Sequence, residues 1–337
     1  MTSSTMSVLD RGRALALPAM RTAIARLDPS TRLASEYHLG WCDSDGTPTT
    51  GNGGKAFRPA LALLSAQAVR ASTEVAVPGA VAVELVHNFS LLHDDVIDGD
   101  MERRHRKTVW AIWGVPTAIL AGDAMLALAH EVVLESPSAH NAEAAVIVAR
   151  VTRELTRGQT LDVAFESRPT VTLAECIDMA IGKTGSLLAA ASSIGAVLAG
   201  ADTVTVEALH TFGIEFGLAF QLVDDVLGIW GDPAVTGKPV HSDLRSRKKS
   251  LPVTWAMAHE RFGSDIQDWL CTPGDPDIDS IAAIAGILSD AGARDWALAE
   301  AAARMGAAER ALDAVDLDPG ARSDLMALAK YCVERTS

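Results

Sequence analysis

VAVELVHNFSLLHDDVID, residues 81–98, closes a long apolar segment on three aspartates, and GLAFQLVDDVLG, residues 217–228, closes another on two. In both stretches the apolar residues recur every three or four positions, which is helical spacing. On such a helix Asp94 and Asp98 stack one turn apart, with His87, Ser90 and Leu91 on the same stripe and Asp95 on its flank. In the second stretch Gly217, Gln221, Asp224, Asp225 and Gly228 share a face, while Leu218, Phe220, Leu222 and Val223 supply an apolar surround. Carboxylates on oily helices are costly unless neutralised, and oxygen-only donors suit magnesium rather than zinc or copper. Magnesium usually joins one or two carboxylates to phosphate oxygens, so the pattern predicts a diphosphate ligand. One Asp-Asp pair reads as a solvated helix end; two, each on an apolar stripe, read as a site.

Phosphate recognition needs fixed cations as well as metal. Lys55 and Arg58 precede the first cluster, Arg103 and Arg104 follow it, and Lys183, Lys238 and Lys248 flank the second. His87 stands two turns before Asp94 on the metal stripe, whereas His93 and His105 have no comparable support. Gln159 and Asp162 share a helical face and are expected to orient Lys183 or the second cluster. Trp110 and Trp113 are expected to pack.

With these residues in place the chain resembles the trans-isoprenyl diphosphate synthase (polyprenyl synthetase) family, and within it the geranylgeranyl diphosphate synthases. The ordered matches are Gly53-Gly54-Lys55-Ala56-Phe57-Arg58-Pro59, Asp94 to Asp98, Arg103-Arg104, Gly122-Asp123, Gly158-Gln159 with Asp162, Lys183-Thr184, Phe220-Gln221 with Asp224-Asp225, Gly237-Lys238, and Asp243-Leu244 leading to Lys248. The resemblance implies the all-α isoprenoid synthase fold, a single large helical bundle around a central cleft. It also implies three magnesium ions with substrate bound, held by Asp94, Asp98 and Asp224 with Asp95 and Asp225 as further partners. Arg103, Lys183, Lys238 and Lys248 would surround the diphosphate of an allylic substrate. Lys55, Arg58, His87 and Arg104 would hold isopentenyl diphosphate, and Thr184, Phe220 and Gln221 would line the reacting carbons. A homodimer is the family's usual assembly.

Composition bounds the reading. With 337 residues and no Gly-, Ser- or Pro-rich linker, one domain over 1–337 is expected, with a helix and loop at 1–54 and further helices of the same domain at 256–337. Segments 55–71, 79–98, 117–135, 141–166, 172–199 and 204–230 read as helices, and no period-two pattern competes. A net charge of -14 argues against nucleic acid or an anionic membrane as partner. Four scattered cysteines suggest neither a zinc site nor a disulfide framework and fit a reducing cytoplasm. No run of about 20 apolar residues is expected to span a bilayer, and residues 14–20 read as part of a first helix rather than a signal peptide.

Departures from the family pattern carry their own expectations. Gly228 stands where the commonest second motif has a third aspartate, which should weaken magnesium affinity; Ala56 replaces a basic residue and His105 a glycine. Phe89, five residues before Asp94, is expected to floor the product tunnel. An aromatic there, with no insertion in the first motif, resembles synthases of the C20 product geranylgeranyl diphosphate, and occurs also in C15 farnesyl diphosphate synthases. Two other readings use the same fold. A terpene cyclase would have no use for Lys55, Arg58 and His87, and a non-catalytic partner subunit would be expected to lose aspartates of the first motif, which here are intact.

Overall fold

The computed structural model describes residues 3–49, 56–232 and 241–334, and these are helical almost throughout, as the all-α reading requires. The expected helices stand at Phe57–Ala68, Val77–Ile97, Val115–Leu134, Asn141–Ser167, Leu173–Ala180 continuing through Ser186–Leu198, and Thr203–Trp230. Local chemistry sets their starts. Pro78 and Pro116 sit in first turns, where a missing N–H costs nothing. Thr172 and Glu175 form a reciprocal capping box: Thr172 Oγ1 accepts from the Glu175 N–H at 3.3 Å, and Glu175 Oε2 accepts from the Thr172 N–H at 2.9 Å. Residues 14–20 lie inside the helix Ser3–Ile24, as expected, and a second helix, Pro29–His38, follows it.

Two features depart from the expectations. Periodicity predicts no strand, yet Glu102–Arg103 pairs antiparallel with Arg106–Lys107. The ladder is too short to leave an alternating pattern, and its turn is made by Arg104 and His105 at φ of 53° and 60°. Left-handed conformation at both central residues matches the twist of a tight hairpin, but non-glycine side chains adopt it at a cost. The second departure is in apolar length. Thr73–Ile97, Val115–Leu134 and Leu173–Leu198 are each long and apolar enough to cross a membrane by length and composition, contrary to the expectation. Glu84 and Asn88 interrupt the apolar run of the first segment, yet its mean hydropathy stays at 1.5. The first and third of these segments are 67% and 83% buried within the protein, which explains their apolar composition; Val115–Leu134 is only 39% buried.

The chain divides into two compact units, each assembled from separated stretches. One comprises Met1–Thr152, Ala190–His210 and Val315–Leu325. Its core packs Val77–Ile97 against Val115–Leu134 and Phe57–Ala68, with Leu61, Leu64, Leu85, Leu92 and Met125 fully buried. The other comprises Arg153–Ala189, Thr211–Ala314 and Met326–Ser337. There Phe212, Phe216 and Leu188 are fully buried, and the helices Gly263–Cys271 and Ile278–Asp290 carry their apolar side in a cluster of Ile266, Ile281, Ile284 and Leu288 around Ile229 and Leu244.

Candidate active site

In the first unit the aspartates close the helix Val77–Ile97. Asp94 and Asp95 occupy its last turn and Asp98 caps it, its N–H donating to the Asp94 carbonyl at 2.8 Å. Asp95 faces inward: its side chain is 2% exposed and its Oδ1 accepts from Arg103 Nε at 2.6 Å. Burial pushes the Asp95 carboxyl above its ordinary value, and the Arg103 guanidinium opposes that shift. Asp95 Oδ2 is buried without a hydrogen-bond partner. The short hairpin thus delivers Arg103 back onto the helix that carries the motif.

The same unit gathers a basic group around His87. Burial, then the guanidiniums of Arg58 and Arg104, hold this imidazole well below its usual value and therefore neutral. Glu84, one turn earlier, is pushed up by burial and opposed by Arg58, and it accepts from Asn88 Nδ2 at 3.3 Å. Of the three residues that the resemblance implies for one diphosphate, His87 is within electrostatic reach of both Arg58 and Arg104. Sequence reasoning missed His38, the last residue of Pro29–His38. Burial and the neighbouring Arg104 and Arg103 hold it down to about 3, and its Nε2 is buried without a partner. A lone histidine at a helix end leaves no pattern by which it could have been found.

His93 and the Gly122-Asp123 motif have a structural account. The His93 ring lies where a side chain at Gly122 would stand, its Nε2 is 3.1 Å from the Ile119 carbonyl and 3.7 Å from Asp123 Oδ1, and Phe89 packs edge-on against it at 4.8 Å. Trp110 donates to the Asp100 carbonyl and Trp113 packs edge-on against Tyr37, as expected of packing residues.

In the second unit a π-helical turn at Ile181–Gly185 carries Lys183 and Thr184. Such turns interrupt α-helices mostly at functional positions. Gly158 and Gly182 let two helix backbones touch, since a Cβ on either would strike the other segment's main chain. This close approach sets Lys183 Nζ in an ion pair with Asp162. Thr184 Oγ1 donates to Gln221 Oε1 at 2.7 Å, and Gln221 Nε2 donates to Asp225 Oδ1 at 2.8 Å. Asp225 Oδ2 accepts from the Leu251 N–H at 2.9 Å, so both oxygens of this 2%-exposed carboxylate are engaged. Burial raises Asp225 to about 6 against the opposing charge of Lys248. Lys248 is itself held above its ordinary value, because Asp225, Asp243, Asp162 and Asp224 outweigh the effect of burial. Phe220 packs edge-on against Phe216 at 6.5 Å.

The neighbouring Lys249 is separated from this chemistry. Its Nζ donates to the Phe165 carbonyl at 2.8 Å and to the Glu166 carbonyl at 3.4 Å, closing the C-terminal end of Asn141–Ser167. Lys248, not Lys249, therefore belongs with the second cluster. Lys55 and Lys238 lie outside the described residues.

Among the described residues no three of His, Cys, Asp and Glu are gathered into a ready-made metal cage. The donors present are hard oxygens: Asp94 and Asp98 one turn apart at a helix end, Asp95 with an orphaned Oδ2, and Asp224 one residue from a carboxylate already committed to hydrogen bonds. The donor chemistry of each cluster by itself fits magnesium, which takes few protein ligands and completes its octahedron with water and phosphate oxygens.

Residues 41–284 match the polyprenyl synthetase family. The chain is 50% identical over 342 residues to the (2E,6E)-farnesyl diphosphate synthase of Mycobacterium tuberculosis, covering 99% of this chain and 94% of that protein. It is 45% identical over 252 residues to the geranylgeranyl diphosphate synthase of the same organism, covering 74% and 72%. The crystal structure of a polyprenyl synthetase from Streptomyces coelicolor superposes with a TM-score of 0.90 at 49% identity, covering 97% of this chain and 99% of that one. A geranylgeranyl pyrophosphate synthase from Corynebacterium glutamicum, solved with isoprenyl diphosphate and magnesium, superposes at 0.78 with 27% identity over 98% of each chain. The chain has the isoprenoid synthase fold and belongs to the polyprenyl synthetase family, the trans-isoprenyl diphosphate synthases, transferases of prenyl groups.

Proposed function

We propose that the protein condenses isopentenyl diphosphate with an allylic diphosphate, with magnesium, to a short-chain prenyl diphosphate. The observation that carries this reading is the Arg58, His87 and Arg104 group, because a second diphosphate subsite is needed only where two diphosphates react. A cyclase has no second diphosphate to bind.

Asp94, Asp98 and Asp224 would hold magnesium, which shields the diphosphate and stabilises its departure when bound. Arg103, Lys183, Lys238 and Lys248 would meet the charge that develops on the leaving oxygens, and fixed cations there would lower the barrier without reorganising. The Thr184–Gln221–Asp225 chain holds the Gln221 amide in one orientation beside the reacting carbons. Holding isopentenyl diphosphate on Lys55, Arg58, His87 and Arg104 converts a bimolecular encounter into an oriented one, worth roughly 7–11 kcal/mol in favourable cases. Neutral His87 donates a hydrogen bond there without adding a fourth positive charge.

For the product, Phe89 is buried at 8% exposure and wedged against His93, which supports a tunnel floor and geranylgeranyl diphosphate, C20. The farnesyl diphosphate synthase relative at 50% identity supports C15. Mass spectrometry of products from magnesium, isopentenyl diphosphate and each of the C5, C10 and C15 primers decides between them. A hydrocarbon or alcohol without consumption of isopentenyl diphosphate would replace the synthase reading by a cyclase, and no turnover would favour a partner subunit. A homodimer through Val115–Leu134 is part of the same reading, since Val115, Leu120 and Leu134 are exposed along it. Leu120→Glu should then give a monomer by light scattering.

A further inference from the structure

Arg104 and His105 make the turn of a hairpin with only two residues in each strand, Glu102–Arg103 against Arg106–Lys107. A ladder that short does not hold itself in water, and left-handed backbone at two non-glycine residues makes it costlier still. Its directly paired residues Arg103 and Arg106 are moreover like charges, which destabilise a strand pair when they stand opposite each other. The hairpin therefore keeps its place through contacts made outside it.

Those contacts converge on Tyr37. Arg106 Nη1 donates to the Tyr37 carbonyl at 3.0 Å and Nη2 to the Cys42 carbonyl at 2.8 Å, and the guanidinium lies 4.1 Å from the centre of the Tyr37 ring. Asp43 Oδ1 stands 3.5 Å from Nη2. The Tyr37 hydroxyl in turn donates to the Lys107 carbonyl at 2.8 Å, and the Trp113 ring meets Tyr37 edge-on at 5.2 Å. Both residues of the returning strand are thus tied to the end of the helix Pro29–His38. The first strand has a separate tie, from Arg103 Nε to Asp95 Oδ1 at 2.6 Å. Arg104, between the two ties, keeps access to solvent. The helix end that anchors the hairpin also borders the basic group: His38, next after Tyr37, is within electrostatic reach of Arg104, Arg103 and His87.

We infer that Arg106, clamped on Tyr37, is a positioning residue for the isopentenyl diphosphate subsite, holding the hairpin so that Arg104 is presented to the diphosphate beside His87. It acts through Arg104 and not on the substrate itself. Bonding two separate carbonyls while stacking on a ring takes the planar fork of a guanidinium, which a lysine does not supply. The inference rests on the prenyl-transfer reading given above and adds to it the residue that aims Arg104.

Arg106→Lys and Arg106→Met test it, by steady-state kinetics and by the melting temperature of the protein titrated with isopentenyl diphosphate alone. In both variants KM for isopentenyl diphosphate should rise about tenfold, the scale of one misplaced charge-assisted hydrogen bond. KM for the allylic primer should stay within about twofold of wild type, because Arg103 keeps its own bond to Asp95, and kcat at saturation should hardly change. Isopentenyl diphosphate should raise the melting temperature of both variants less than that of wild type. Tyr37→Phe keeps the ring under the guanidinium and loses only the bond to Lys107, so it should move the same KM in the same direction by less, and it carries the test if the Arg106 variants do not fold. A lower melting temperature with both KM values unchanged would show that the clamp serves stability alone and would overturn the proposal. Equal rises in the two KM values would overturn it too, since the clamp would then not be selective for Arg104. If isopentenyl diphosphate neither stabilised wild type nor was consumed by it, the prenyl-transfer reading itself would fail, an outcome separate from any difference between the variants.

Discussion

The carboxylate of Asp243 lies against the α-carbon of Gly228, with Oδ1 and Oδ2 each 2.5 Å from where a Cβ would stand. Ser242 Oγ reaches both sides of this contact, 3.3 Å from the Gly228 carbonyl and 3.2 Å from Asp243 Oδ1. Gly228 is the fifth position of the second cluster, where the first cluster has Asp98. The space a side chain would take there is already filled by a carboxylate from the short helix Ser242–Arg245.

That contact changes what a substitution at 228 reports. On sequence, Gly228→Asp is a test of magnesium affinity; in the structure it is first a steric collision. Gly228→Ala is expected to cost about 1–3 kcal/mol in urea unfolding, as overpacked core sites do, and to lower turnover. Combining it with Asp243→Ala should recover most of the stability and none of the turnover. A Gly228→Ala protein as stable as wild type would contradict the packing account.

Lys248 and Lys249 are neighbours with opposite roles. Lys249→Met should lose about 1–3 kcal/mol by removing a charged donor from the Phe165 carbonyl, with turnover nearly unchanged. Lys248→Met should cut turnover on the order of a hundredfold and leave Asp225 buried beside a missing cation. Steady-state kinetics and unfolding on both variants check the contrast, and equal loss of activity would undo it.

His38 makes stability depend on pH. Its folded value is about 3, against 6.5 for an ordinary histidine, because burial and then Arg104 and Arg103 disfavour the charged ring. The unfolded chain therefore binds a proton below pH 6.5 that the fold refuses. The stabilisation is complete above that value and declines as pH falls from 6.5 towards 3, by about 1.4 kcal/mol per pH unit. His87, held down by burial and by Arg58 and Arg104, adds to the same window. Urea unfolding at pH 7.5 and 5.5 should show a smaller difference for His38→Gln than for wild type.

Phe89→Ala opens the space before the first motif. Because the ring is buried and packed on His93, the variant should lose about 3 kcal/mol. Mass spectrometry should find products longer by one or more C5 units; unchanged chain length would remove Phe89 as the floor.

The long helices and the two aspartate clusters were legible because each is a local pattern, a 3.6-residue period carrying a pair of adjacent acids. Lys183, Thr184 and Gln221 were legible through family resemblance. Asp225 shows where such reading stops. Its neighbour Asp224 differs from it by only 100° of helix rotation, yet Asp225 spends both oxygens on Gln221 and Leu251. The Leu251 N–H comes from 26 residues away, and no spacing rule anticipates it.

Composition and periodicity by themselves determined that the chain is all-α and that its aspartate clusters ride on apolar helices, because side-chain burial in a helix depends on positions a turn apart; the first cluster closes its helix, whereas the helix of the second runs on to Trp230. Only the tertiary structure decided which of those polar groups are already engaged. Lys249 is spent on a helix end, Asp95 on Arg103, and Asp243 on the space beside Gly228, while Gln159 is left with neither end bonded. Hydrogen bonds and close contacts of this kind join residues distant in the chain, so their partners exist only once the helices have packed.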